Sequence, residues 1–110
     1  MSTTITNFNH EFPFSAVDTY DYTIQTSATH KISVKVTDYN TTAGISLQIK
    51  NGSSTLATLS AGQVGGELNL QVLNNAAAND VIHVVVASTT GNDVLGNQIR
   101  GFITITRLAG

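Results

Sequence analysis

Apolar and polar residues alternate with period two along much of this chain, and no stretch carries the 3.6-residue period of a helix. Tyr20, Tyr22 and Ile24 alternate with Thr19, Asp21, Thr23 and Gln25. Ile32, Val34 and Val36 alternate with Lys31, Ser33, Lys35 and Thr37, and Ile45, Leu47 and Ile49 with Ser46, Gln48 and Lys50. Leu68, Leu70 and Val72 repeat the pattern, and Ile103 and Ile105 carry it into a last strand over 99–108. Each run predicts a strand with one buried and one wet face. Val81, Ile82, Val84, Val85 and Val86 break the rule by occupying both faces. They predict a central strand, or one whose outer face a partner covers.

The punctuation between the runs is that of turns. Asn51-Gly52 predicts a hairpin closed by a type I′ turn, with both residues at positive φ. Residues 61–66 hold three glycines and read as a loop, as does the polar stretch 89–96. Asn74-Asn75 ends a strand, and Ala76-Ala77-Ala78 could make one helical turn but no independent helix. Turn signals recur about every ten residues. The fold class expected is all-β: a single antiparallel β-sandwich of seven or eight strands, jelly-roll-like.

The first sixteen residues stand apart. Phe8, Phe12 and Phe14 are three of the four phenylalanines and fall around Asn9, His10, Glu11 and Pro13. The chain therefore divides into an N-terminal arm, 1–16, and a sandwich domain, 17–110. The arm either packs on its own sandwich or docks on a neighbouring subunit through these aromatic anchors. Under the docking reading, deleting residues 1–16 would leave a folded sandwich.

Composition narrows the function. The chain has 110 residues, enough for one core. Val, Ile, Leu and Phe make up 31 of them, well above the range of disordered chains. Only 11% are charged, against about 25% in an average domain, and the chain dissolves instead through 16 Thr, 10 Asn, 9 Ser and 5 Gln. With no Cys, disulfides and thiolate metal sites are excluded. Net charge is −2, and the five basic residues are scattered, so nucleic acid and membrane surfaces are not expected partners. No basic and apolar leader opens the sequence, which points to synthesis in the cytoplasm.

No reaction is written in the motifs. The carboxylates Asp18, Asp21, Asp38, Asp80 and Asp93 fall at strand ends or in loops, where Asp serves turns. His10, His30 and His83 show no metal-ligand spacing, and His83 reads as a half-buried strand histidine with one ring nitrogen satisfied. A loop calcium site from Asn79, Asp80, Asn92 and Asp93 lacks the D-x-D-x-D run. Asn40-Thr41-Thr42 and Asn51-Gly52-Ser53 match the glycosylation pattern without a secretory leader beside them. There is no G-x-S-x-G elbow and no phosphate loop. Neither enzyme activity, cofactor nor metal is expected. A sugar site would use aromatic platforms with Asn, Asp and Gln, but there is no Trp, and Tyr20, Tyr22 and Tyr39 are not arranged as an obvious platform.

From Val17 to Leu108 the texture is recognisable. Val17-Asp18-Thr19-Tyr20-Asp21-Tyr22-Thr23-Ile24 opens it, then His30 to Val36, Gly44 to Gly52, Val81 to Val86 and Gly101 to Thr106. This resembles the small jelly-roll structural proteins of tailed-phage virions, especially head decoration (cement) proteins. The order of elements also resembles bacterial pre-peptidase-type β-sandwich domains, which are appended to secreted enzymes. A chain beginning at Met1 and ending soon after its last strand favours the stand-alone structural protein. That resemblance implies a non-enzymatic virion protein bound to the major capsid protein at capsomer junctions, as a homotrimer, with Phe8, Phe12 and Phe14 as contacts. The alternative is a carbohydrate-binding β-sandwich module or a tail or fibre accessory protein.

Overall fold

The computed structural model describes residues 2–4, 9–13, 17–37, 44–61, 67–88 and 99–108. Among the described residues nine strands run in chain order: β1 (Ser2–Thr4), β2 (Asn9–Pro13), β3 (Val17–Thr23), β4 (Ala28–Thr37), β5 (Ile45–Asn51), β6 (Ser54–Ala61), β7 (Glu67–Ala76), β8 (Val81–Ser88) and β9 (Arg100–Arg107). They form two sheets, ordered β1-β3-β8-β5-β6 and β2-β9-β4-β7. β1 joins β3 in parallel; every other pair is antiparallel. Without that three-residue addition the molecule is two antiparallel four-stranded layers, the eight strands the alternation allows.

The pairing is nested. β2 pairs with β9, β3 with β8, β4 with β7 and β5 with β6. The chain is in effect one long hairpin wound into two layers, the jelly-roll arrangement. The longest ladder joins Ala28–Thr37 to Glu67–Ala76 over ten residue pairs.

Alternation places the core between the layers. Tyr20, Tyr22, Ile45, Leu47, Ile49, Ile82, Val84 and Val86 face inward from the first sheet. Phe12, Ile32, Val34, Val36, Leu68, Ile103 and Ile105 meet them from the second. Each fully buried Val, Leu, Ile or Phe side chain contributes about 1.5–3 kcal/mol relative to exposure. Burial, and then the Asp18 carboxylate nearby, pushes the Tyr20 hydroxyl above its usual pKa. β8 is central, between β3 and β5, which accounts for its apolar residues on both faces. Val81, Val85 and Ala87 on its outer side are half-buried by the flanking strands themselves.

Of the two arrangements open to the N-terminal segment, residues 9–13 take the first and pack on their own sandwich. Residues 9–13 are an edge strand of the second sheet, and Phe12 is completely buried. Its ring centroid lies 4.8 Å from that of Tyr20, and His10 stacks at 5.2 Å from the same ring. Phe12 is thus a core residue of its own sandwich, because its register opposite Gly101 points it inward. Phe8 and Phe14 lie outside the described residues. Pro13 ends this edge strand, where a missing N–H removes no central ladder bond.

Two turns also differ from expectation. In the β5–β6 hairpin Asn51 pairs with Ser54, and only Gly52, with φ 58°, has positive φ. Positive φ at the first central position alone is the type II′ pattern, so Gly52-Ser53 forms the tip and Asn51 stays in the strand. The ladder also slips, from Ile49 opposite Ala57 to Lys50 opposite Thr55, so Leu56 is the extra residue of a bulge. Ala76 ends β7 in extended form, and residues 77–80 make a turn, not a helical one, with Asn79 at φ 76°. Asn tolerates that left-handed conformation better than most side chains.

Candidate ligand-binding cavity

Three short connections and the end of β9 meet at one end of the sandwich. Asp80 organises them. Its Oδ2 accepts from the Ala77 N–H at 3.0 Å and from Asn51 Nδ2 at 3.1 Å. The same Nδ2 donates to Asn74 Oδ1 at 2.9 Å. These bonds, the backbone one first and the Asn51 amide second, hold the Asp80 carboxyl below the usual carboxylate range. The turn then clamps the β3–β4 connection: Ile24 N–H donates to the Asp80 carbonyl and Asn79 N–H to that of Ile24, both at 2.8 Å. Ala78 N–H donates to Ser27 Oγ at 2.9 Å. Between these clamped points sit Gln25 and Thr26, both exposed.

Beside them opens a cavity of about 450 Å³, within the usual range of small-molecule sites. Tyr22 enters from the first sheet, His30, Ile105, Thr106 and Arg107 from the second, and Gln25 and Thr26 from the clamped connection. Leu108 N–H donates to the Thr29 carbonyl at 2.9 Å, which holds the end of β9 against β4. The cavity has an aromatic ring and an isoleucine for an apolar surface, and an amide, two hydroxyls, an imidazole and a guanidinium for hydrogen bonds. Among the described residues no carboxylate lines it. A second hollow of about 350 Å³, by Lys31, Gln71, Val72 and Leu73, has no aromatic wall.

Of the candidate site residues singled out from the sequence, Tyr22 and His30 line this cavity, and the other described ones do not. Phe12 is in the core. His83 is the half-buried strand histidine expected, its Nδ1 2.6 Å from Asp21 Oδ1. Asn79 and Asp80 serve the turn, and Asn92 and Asp93 lie outside the described residues, as does Tyr39. Among the described residues no group of three or more His, Asp or Glu is placed to hold a metal ion. His30, Tyr22 and Arg107 come together only through the fold. Extending the alternation of Ile32, Val34 and Val36 back two residues puts His30 on the inner face, and extending Ile103 and Ile105 forward does the same for Arg107.

Because Asp80 titrates below its ordinary value when folded, its contribution is present above the unfolded pKa and is lost as pH falls through the folded one. Asp80→Ala should therefore lower the thermal midpoint at neutral pH. The gap to wild type should begin to narrow as pH falls below the ordinary carboxylate value of about 4, and close only as it passes the lower folded value, where Asp80 itself is protonated. Melting curves across that pH range check this; a constant gap would mean the turn does not depend on the charge.

A scan against known protein families finds no match, and a search of curated proteins finds none. Solved structures do match in shape. The pre-peptidase C-terminal domain of collagenase from Bacillus anthracis aligns with a TM-score of 0.53 at 10% identity, over 96% of this chain and 95% of that one. PliG of Aeromonas hydrophila, a periplasmic inhibitor of g-type lysozyme, aligns with a TM-score of 0.52 at 11% identity, over 97% and 96%. The CBM36-1 domain of a multidomain xylanase from the hindgut metagenome of Trinervitermes trinervoides gives 0.49 at 20% identity, over 89% and 75%. At such identities the first two likenesses establish the fold, and the chain is a jelly-roll β-sandwich over nearly its full length.

Proposed function

We propose that this protein is a carbohydrate-binding β-sandwich module that binds without catalysing a reaction. One observation carries the reading: the end cavity sets the Tyr22 ring and Ile105 beside Gln25, Thr26 and Thr106. A saccharide presents apolar C–H faces and a ring of hydroxyls, and this mixture answers both. Among the described residues the lining holds no carboxylate, which supports binding over turnover. The capsid-decoration reading, with the major capsid protein as partner and a trimer as the assembly, took Phe8, Phe12 and Phe14 as candidate contacts, of which Phe8 and Phe14 lie outside the described residues. Phe12, being buried, no longer speaks for it.

The test is a panel of oligosaccharides, neutral and acidic, titrated against the purified chain by calorimetry. Saturable binding is expected, and Gln25→Ala and Thr26→Ala should each weaken it about fivefold, the value of one hydrogen bond of about 1 kcal/mol. Both side chains are exposed, so the thermal midpoints should stay put. A panel with no binder overturns the reading.

A further inference from the structure

The polar groups of the cavity select among sugars, an inference that rests on the carbohydrate reading. His30 and Arg107 are direct partners in the β4·β9 ladder, so they stand side by side on the face that also carries Ile32 and Ile105. Both line the cavity. His30 is only 5% exposed. Its Nδ1 lies 2.9 Å from the Ala28 carbonyl oxygen. A carbonyl only accepts, so Nδ1 carries the proton and Nε2 of the neutral ring is left as an acceptor. Among the described residues nothing donates to Nε2.

Arg107 is similarly uncommitted. The ion pairs His83–Asp21 and Arg100–Glu11 do not involve it. A guanidinium is always charged and presents a planar fork of donors that matches a carboxylate with two parallel hydrogen bonds. Here the fork lines a cavity with no carboxylate among its described residues, next to a buried acceptor that none of them donates to.

We propose that the cavity binds a uronic acid residue, with Arg107 holding the carboxylate and His30 Nε2 accepting from a neighbouring ring hydroxyl. Trigalacturonic acid, its methyl ester and neutral galactotriose, titrated in parallel, provide the probes. Wild type should bind the acid at least about tenfold more tightly than either of the others, the range of a charge-assisted pair. Arg107→Gln should reduce that preference to about twofold or less, and Arg107→Lys, which keeps the charge but loses the fork, should restore only part of it. Thermal melts confirm that the variants fold. Equal binding of acid and ester overturns the acid preference and leaves the carbohydrate reading standing. A preference that survives in Arg107→Gln overturns the assignment to Arg107. Binding of none of the three, with no binder elsewhere in the oligosaccharide panel, overturns both readings.

Discussion

Truncating Phe12 to alanine should destabilise the domain by about 3–5 kcal/mol, the cost of emptying a fully buried phenylalanine site. Phe12 is 0% exposed and packs on Tyr20 between the layers. Domains of this size have about 5–15 kcal/mol in all, so the loss takes a large share and should lower the thermal midpoint by roughly 12–25 °C. Deleting residues 1–16 should be worse, since it also strips β2 from the exposed edge of β9. Thermal denaturation followed by circular dichroism reads both. A variant melting within a few degrees of wild type would show that the segment does not pack on its own sandwich, and would return it to the role of a docking arm.

Gly101→Ala should have the second-largest effect, although it adds one methyl group. A Cβ at Gly101 would lie 2.9 Å from Phe12 Cε1 and Cε2, and closer still to Cζ. The ring cannot swing clear, because it is enclosed on every side. Overpacking of this kind costs about 1–3 kcal/mol, and here the upper half of that range applies, a drop of about 10 °C. The origin of the effect can be isolated. Phe12→Leu removes the atoms in conflict, so Gly101→Ala should be far milder in that background. Additive losses in the double-mutant cycle would mean that the glycine is needed for its backbone and not for the space it leaves.

This pair also shows where the sequence was transparent and where it was not. Alternation placed Tyr20, Tyr22, Ile32, Val34, Leu47, Ile49 and Ile105 on inward faces, and all are buried. Period two is a local property, and burial of one sheet face imposes it on each strand separately. Pairing is not local. Nothing near Phe12 announces Gly101, and three phenylalanines in a short polar segment look alike until a partner strand fixes which one points inward. Turn chemistry was half legible: Gly52 marks the hairpin, but the bulge at Leu56 decides which residues form its tip. The cavity was the least legible feature. Its residues come from 22–30 and 105–107, and each is ordinary where it stands. His30 showed only a lack of metal-ligand spacing, because its strand begins before the strictly alternating run does and its neighbours in the cavity come from β9.

The nested ladder has a consequence for how the molecule is made. Glu11 and Arg100, joined by an exposed ion pair across β2 and β9, are 89 residues apart. At about 5–20 residues per second, β2 is synthesised on the order of 5–20 s before β9. During that interval the innermost hairpin, β5–β6, can close, and β7 and β8 can then zip outward onto β4 and β3. The first strand synthesised is thus among the last to find its place, and Phe12 spends the whole of translation without the glycine it packs against. Contacts of such sequence separation slow folding and lengthen exposure to aggregation. The polar character of Asn9, His10 and Glu11 around that one buried ring keeps the waiting segment in water until the sheet is ready to receive it.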